Sequence, residues 1–236
     1  MNYTVVLVDD KFYIDDVKVS YRDVVEVPSV IDEMEIYGIT SNAFAGKPIK
    51  SVKISDGIQY IADYAFEGCN ELESVAISSS VNYIGEYAFA ECKYLRTVTF
   101  EQKSKLTKLN KGVFANCENL VNLTLPDKLN TIGEWCFFQC KELMNVQMPN
   151  NVKSINEFAF AKCENLLNVL FEKGAKLKTV KDYAFLDCNQ LVLYMPKTFY
   201  SAGKGAFENV LEVHLTPGKN VNVEYIRAFK GCDLHK

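Results

Sequence analysis

"IGEYAFAECKYLRTVTF", residues 84–100, holds an isoleucine, an Ala-Phe pair, a cysteine three residues after the phenylalanine, a leucine three further on, and then an alternating T-V-T-F. The same order returns along most of the chain. Aligned on phenylalanine, the copies fall at Phe44, Phe66, Phe89, Phe114, Phe137, Phe160, Phe185, Phe207 and Phe229, with spacings of 22, 23, 25, 23, 23, 25, 22 and 22 residues. Cysteine follows at Cys69, Cys92, Cys117, Cys140, Cys163, Cys188 and Cys232, and leucine at Leu72, Leu95, Leu120, Leu143, Leu166 and Leu191. A unit this short cannot bury its own apolar face, so the copies must stack on one another.

Within each copy two periodicities alternate. L-x-x-V-x-I reads as a strand, with Val75 and Ile77 inward and Ser74 and Ala76 outward. A Pro or Ser often closes it, as at Ser78, Pro126, Pro149, Pro196 and Pro217, which suits a chain leaving a hydrogen-bonded ladder. I-x-x-x-A-F-x-x-C reads as a short helical turn, because Ile84, Ala88 and Cys92 fall at i, i+4 and i+8. The expected fold class is therefore an α/β repeat solenoid. At about 4.8 Å per strand, eight repeats make a ladder roughly 40 Å long.

The pattern I-G-x-x-A-F-x-x-C-x-x-L-x-x-V-x-[IFL]-P-x-x-[VL]-x-x-I, nearly complete in "IGEWCFFQCKELMNVQMPNNVKSI" (residues 132–155), resembles the BspA-like leucine-rich repeats over about residues 25–232. That resemblance implies a right-handed curved solenoid, with a concave parallel β-sheet and short helical turns on the convex side. It also implies a surface or secreted protein, linked to adhesion to host proteins or other cells, and it brings no catalytic residues with it.

The ends depart from the pattern. "VVEVPSVIDEMEIYGI" (residues 24–39) fits half a repeat, whereas residues 1–23 do not fit. "YTVVLVDDKFYI" reads as two strands around Asp9-Asp10-Lys11, an N-terminal β-hairpin cap over residues 1–23 ahead of a solenoid over residues 24–236. "YIRAFKGCDLHK" at the other end is a partial repeat, which serves either as a lid or as the stub of a longer array. The two longer copies place Lys103, Lys105 and Lys108, then Lys173, Lys176 and Lys178, after their strands. These lysines are either a solvated edge or a basic rim for an acidic partner.

Bulk composition narrows the function classes. Net charge is −4 and only three arginines stand among 26 basic residues, which argues against nucleic acid. No apolar run approaches the roughly 18 residues of a membrane span. "MNYTVVLVDD" has no basic n-region and meets two acids by position 10, unlike a signal peptide. Surface or secreted placement thus rests on the resemblance, and a cytoplasmic one stays open.

Eight cysteines raise disulfide and metal readings. Their place in the motif instead makes them a column of free, buried thiols acting as small hydrophobes. Cys136 and Cys140 in "CFFQC" are spaced to share a metal, but His214 and His235 are the only histidines, so neither metal nor cofactor is expected. There is no G-x-S-x-G, H-E-x-x-H or P-loop, so no enzyme is expected either. "GKG" (residues 203–205) sits in the I-G slot, and Glu86, Glu134 and Glu157 recur as a solvated face.

What remains is surface. Outward strand positions are Ser51/Lys53, Ser74/Ala76, Thr97/Thr99, Asn122/Thr124, Asn145/Gln147, Asn168/Leu170, Val192/Tyr194 and Glu212/His214. Uncharged hydroxyls and amides in the middle suit a protein or glycan partner, and also suit ladders that merely satisfy a sheet. The partner-binding set is Thr97, Thr99, Asn122, Thr124, Asn145, Gln147, Asn168, Tyr194 and His214. A second column, Tyr64, Tyr87, Trp135, Phe158 and Tyr183, interrupted by Val113, is either inter-repeat stacking or an exposed aromatic ridge. The function expected is a binding module for adhesion or cell-surface contact, with an intracellular interaction scaffold as the alternative.

Overall fold

The computed structural model describes residues 2–216, 222–223 and 228–235. Pro217, expected to close a strand, and residues 225–227 of the last partial repeat lie outside the described residues. The chain winds into a parallel β-solenoid of about nine turns.

One strand per turn forms a ten-stranded parallel sheet: Asp23–Val27, Ile49–Ile54, Ser74–Ile77, Thr97–Phe100, Asn122–Thr124, Asn145–Met148, Asn168–Phe171, Val192–Tyr194, Glu212–His214 and Asp233–His235. Registers repeat from pair to pair, with Ser51 beside Ser74, Ser74 beside Thr97, and Asn122 beside Asn145. Alternation does what a period of two demands: Val75, Val98, Leu123, Val146, Val169, Leu193 and Val213 are buried between outward neighbours. After four of these strands Ser78, Pro126, Pro149 or Pro196 accepts a turn hydrogen bond from the amide three residues on, at 3.0–3.3 Å.

Two-residue strands on the far side of the core make shorter ladders. Tyr60–Ile61 and Tyr83–Ile84 extend a sheet that begins with the N-terminal hairpin, Asn2–Val8 against Lys11–Lys18, and continues through Met34–Ile39. A separate ladder runs from Lys108–Leu109 to Asn222–Val223. The break falls at the first of the 25-residue copies, where the Asn110 side-chain amide donates to Ile84 O at 2.7 Å across the gap.

The Ala-Phe corners are not helical, and no helix occurs among the described residues. The expectation failed because apolar spacing at i, i+4, i+8 reports which residues face inward, not how the backbone gets there. Two residues per corner are left-handed, one before the Ala-Phe pair and one two places after the phenylalanine, such as Tyr87 (φ 55°) and Glu91 (φ 58°). Left-handed residues four apart leave no room for an α-turn. They instead aim alternate amides at the next coil: Tyr64, Phe66 and Gly68 N–H donate to Glu86, Ala88 and Ala90 O at 2.9, 2.7 and 2.9 Å.

A single core threads the whole array. Phe44, Phe66, Phe89, Phe114, Phe137, Phe160, Phe185 and Phe207 are fully buried, and they stack face to face with centroids 4.6–5.9 Å apart. All eight cysteines are free thiols. Six of them also do what a pure hydrophobe cannot: Cys69, Cys92, Cys117, Cys140, Cys163 and Cys188 Sγ each donate to the phenylalanine carbonyl of the preceding coil at 3.1–3.2 Å.

Candidate functional site

The outer face of the ten-stranded sheet carries two rows of side chains, one per strand in each row. The first runs Ser51, Ser74, Thr97, Asn122, Asn145, Asn168, Val192, Glu212 and Asp233. The second contains Lys53, Ala76 and Thr99, then Thr124, Gln147 and Leu170, then Tyr194, His214 and His235. All nine residues read from the sequence as partner-binding thus share one face. From the Thr97 strand to the His214 strand is five intervals, roughly 24 Å.

The face has three parts with different chemistry. At its N-terminal end Val24, Glu26, Ser51, Lys53, Ser74, Ala76, Thr97 and Thr99 line a shallow groove of about 310 Å³, and Val24 is 71 % exposed. Glu26 and Lys53 pair across it at 2.7 Å, and that contact holds the Glu26 carboxyl below its usual range.

The middle is an amide ladder. Asn145 Nδ2 donates to Asn122 Oδ1 at 3.3 Å and Asn168 Nδ2 to Asn145 Oδ1 at 3.0 Å, while Thr99 Oγ1 reaches Val75 O at 3.4 Å. These side chains satisfy one another in part, and each amide keeps further donor or acceptor capacity.

The C-terminal part is aromatic. Tyr194, 65 % exposed, stacks on His214 at 4.3 Å, and His214 stacks on His235 at 4.4 Å, the rings within 13° and 8° of parallel. Glu212 Oε2 lies 3.0 Å from His214 Nε2 and 3.8 Å from His235 Nε2. Leu170, 52 % exposed, adds apolar surface beside them. Sequence reasoning placed His214 on the face but left His235 out. The signal was available, since the two histidines stand 21 residues apart, close to one repeat.

The aromatic column beside the Ala-Phe pairs is a stack between coils. Tyr64 meets Tyr87 at 5.6 Å, Trp135 meets Phe158 at 4.3 Å, and Phe158 meets Tyr183 at 5.1 Å. The interruption is at Gly112 rather than Val113, which occupies the alanine slot. These column positions have φ of 55–60°, and Gly112, at 62°, adopts the same left-handed conformation. Without a side chain there, the Tyr87 ring lies over the glycine, where a Cβ would collide with it. Cys136 likewise fills an alanine slot and is fully buried.

Two features outside this face escaped the sequence. Tyr13, Tyr37, Tyr60 and Tyr83 form a second aromatic column on the opposite ladder, with Lys11 Nζ 3.8 Å above the Tyr37 ring. Beside it lies an open hollow of about 660 Å³ lined in part by Lys11, Phe12, Ser29, Met34, Tyr37 and Gln59. The six lysines of the long copies are exposed, and Lys176 donates to Asn151 Oδ1 at 2.8 Å. No helix among the described residues is long and apolar enough to cross a membrane.

Comparison with known proteins gives a consistent picture. A family model described as "BspA type Leucine rich repeat region" matches in six copies across residues 37–144 and 100–214. Among solved structures, the chain is similar to the T. pallidum leucine-rich repeat protein, with 25 % identity, a TM-score of 0.69, and 88 % of this chain and 86 % of that one covered. A leucine-rich cell surface protein from Faecalibacterium prausnitzii superposes with a TM-score of 0.63 at 20 % identity over 89 % and 74 % of the two chains. A leucine-rich repeat protein from Bacteroides ovatus does so with a TM-score of 0.59 at 22 % identity over 94 % and 66 %. Among curated proteins none matches.

Proposed function

The chain belongs to the BspA-type leucine-rich repeat family, and from that premise we propose that it is a non-catalytic binding module whose ten-stranded sheet presents the partner site. The partner is a protein or a glycan, and the role is adhesion or contact at a cell surface. One observation carries this reading: Leu170 and Tyr194 are exposed beside a run of uncharged hydroxyls and amides that is continuous across the four strands from Thr97 to Asn168. Large exposed apolar groups beside unspent donors and acceptors are the ingredients of a recognition surface, and a solenoid sets them on one rigid plane.

Thr97, Thr99, Asn122, Thr124, Asn145, Gln147, Asn168, Tyr194 and His214 are the contact residues of this reading. Tyr194 is its anchor, because an aromatic ring backed by His214 loses little freedom when a partner covers it. The test is to pass the purified chain over arrays of extracellular-matrix proteins and glycans, beside a variant changed to alanine at Thr99, Asn122, Asn145 and Tyr194. A partner bound by the parent and lost, by about tenfold or more in affinity, in the variant supports the site. A partner bound equally by both sinks this face as the site.

A further inference from the structure

We propose that Glu212, His214 and His235 form a binding site for a divalent transition-metal ion, with Zn²⁺ as its probe. His214 and His235 occupy register-paired positions on adjacent parallel strands, and Glu212 lies two residues before His214 on the same outer face. Glu212 Oε2 is 3.0 Å from His214 Nε2 and 3.8 Å from His235 Nε2. One donor atom from each residue falls within 4.8 Å of the others. Donors 2.0–2.1 Å from a tetrahedral ion stand about 3.3 Å apart, and the two imidazoles lie within 8° of parallel, so binding turns the rings out of their stack until both Nε2 lone pairs converge on the ion.

The donor chemistry selects the class of ion. Two imidazoles and one carboxylate suit zinc and its neighbours, whereas Ca²⁺ and Mg²⁺ demand a shell of oxygens. The backbone brings the two histidines side by side, since both sit on ladder strands rather than loops, and Tyr194 packs on the face of the His214 ring opposite His235. Three protein donors leave the fourth position of the ion open, on the solvent side of the sheet. Among the described residues no other group of three His, Cys, Asp or Glu side chains meets the same criterion. The buried thiols are no competitor, because all seven lie inside the core and six of them are turned toward a backbone carbonyl there.

Calorimetric titration of ZnCl₂ into the full chain tests the site, beside His214→Ala, His235→Gln, Glu212→Gln and Cys232→Ser variants. The expected result is one ion per chain, with affinity lowered well over about tenfold by either histidine change and unaltered by the cysteine change. Co²⁺ in place of Zn²⁺ then shows the visible bands of a low-coordinate ion without thiolate charge transfer. Circular dichroism of each variant separates a lost ligand from a lost fold, as these side chains are partly exposed. The proposal is overturned by absence of binding in the parent, by binding that survives both histidine changes, or by a thiolate signature in the cobalt spectrum.

Discussion

Lys162 adopts φ of 62° at the corner position where other coils carry Gly46, Gly68 and Gly231. A left-handed L-residue costs about 1–2 kcal/mol, partly offset by the extra freedom glycine has in the unfolded chain. Lys162→Gly is therefore expected to raise stability by roughly 0.5–1 kcal/mol. Gly112→Ala should do the opposite, and by more than Gly46→Ala. Both glycines are left-handed, but only at Gly112 would the new Cβ meet the Tyr87 ring, while Gly46 has open space. Urea unfolding reads all three. If the ring is the cause, the excess cost at Gly112 disappears in a Tyr87→Ala background; an excess that persists there assigns it to the backbone.

At the scale of the element, the phenylalanine and cysteine columns couple each coil to the next. Burial pushes the thiols of Cys92, Cys117, Cys136, Cys140 and Cys163 well above their ordinary range, and Cys232, half-buried, up to about 11. A thiol raised on folding keeps its proton in the native chain while the unfolded chain ionises from about pH 8.5 upward. Its contribution is therefore fully present below that pH and is lost as pH rises, at about 1.4 kcal/mol per thiol per pH unit. Urea midpoints should be flat up to about pH 8 and fall steeply between about pH 9 and 10. A midpoint unchanged at pH 10 contradicts the account.

The same scale shows how far the sequence could be read. Strand positions and their inward faces were legible because burial alternates with a period of two, as at Val75 and Ile77 between Ser74 and Ala76. The corners were not, because nothing in Tyr87, Glu91 or Lys162 as residue types announces a left-handed backbone. Helical spacing at Ile84, Ala88 and Cys92 was satisfied by a chain that turns another way. The outer face was read as far as His214 and stopped one strand short of His235, although the 21-residue spacing between the two histidines marks them as the same repeat position.

For the whole molecule, the question is what closes the array. The N-terminal hairpin buries Ile14 and Val17 in the common core, and its second strand pairs with Met34–Ile39. We propose that it acts as the cap of residues 1–23. Removing residues 1–18 bares the Met34–Ile39 edge and the apolar end of the core, and exposed edges recruit other chains. The shortened protein is expected to run as oligomers or aggregates in size-exclusion chromatography with light scattering. A monodisperse monomer of unchanged stability would dismiss the capping role.

The corner amides of Phe66, Phe89, Phe114 and Phe137 all point toward the C-terminal end. On the other sides of each coil, amides such as those of Lys153, Asn156 and Leu167 point back, to Asn130, Ile132 and Met144. An α-helix aligns every peptide dipole and so grows a pole at each end. This coil sets some of its axial dipoles against others, so another repeat lengthens the molecule without aligning every peptide along it. The array can therefore grow without building the opposed poles that a helix of the same length would carry.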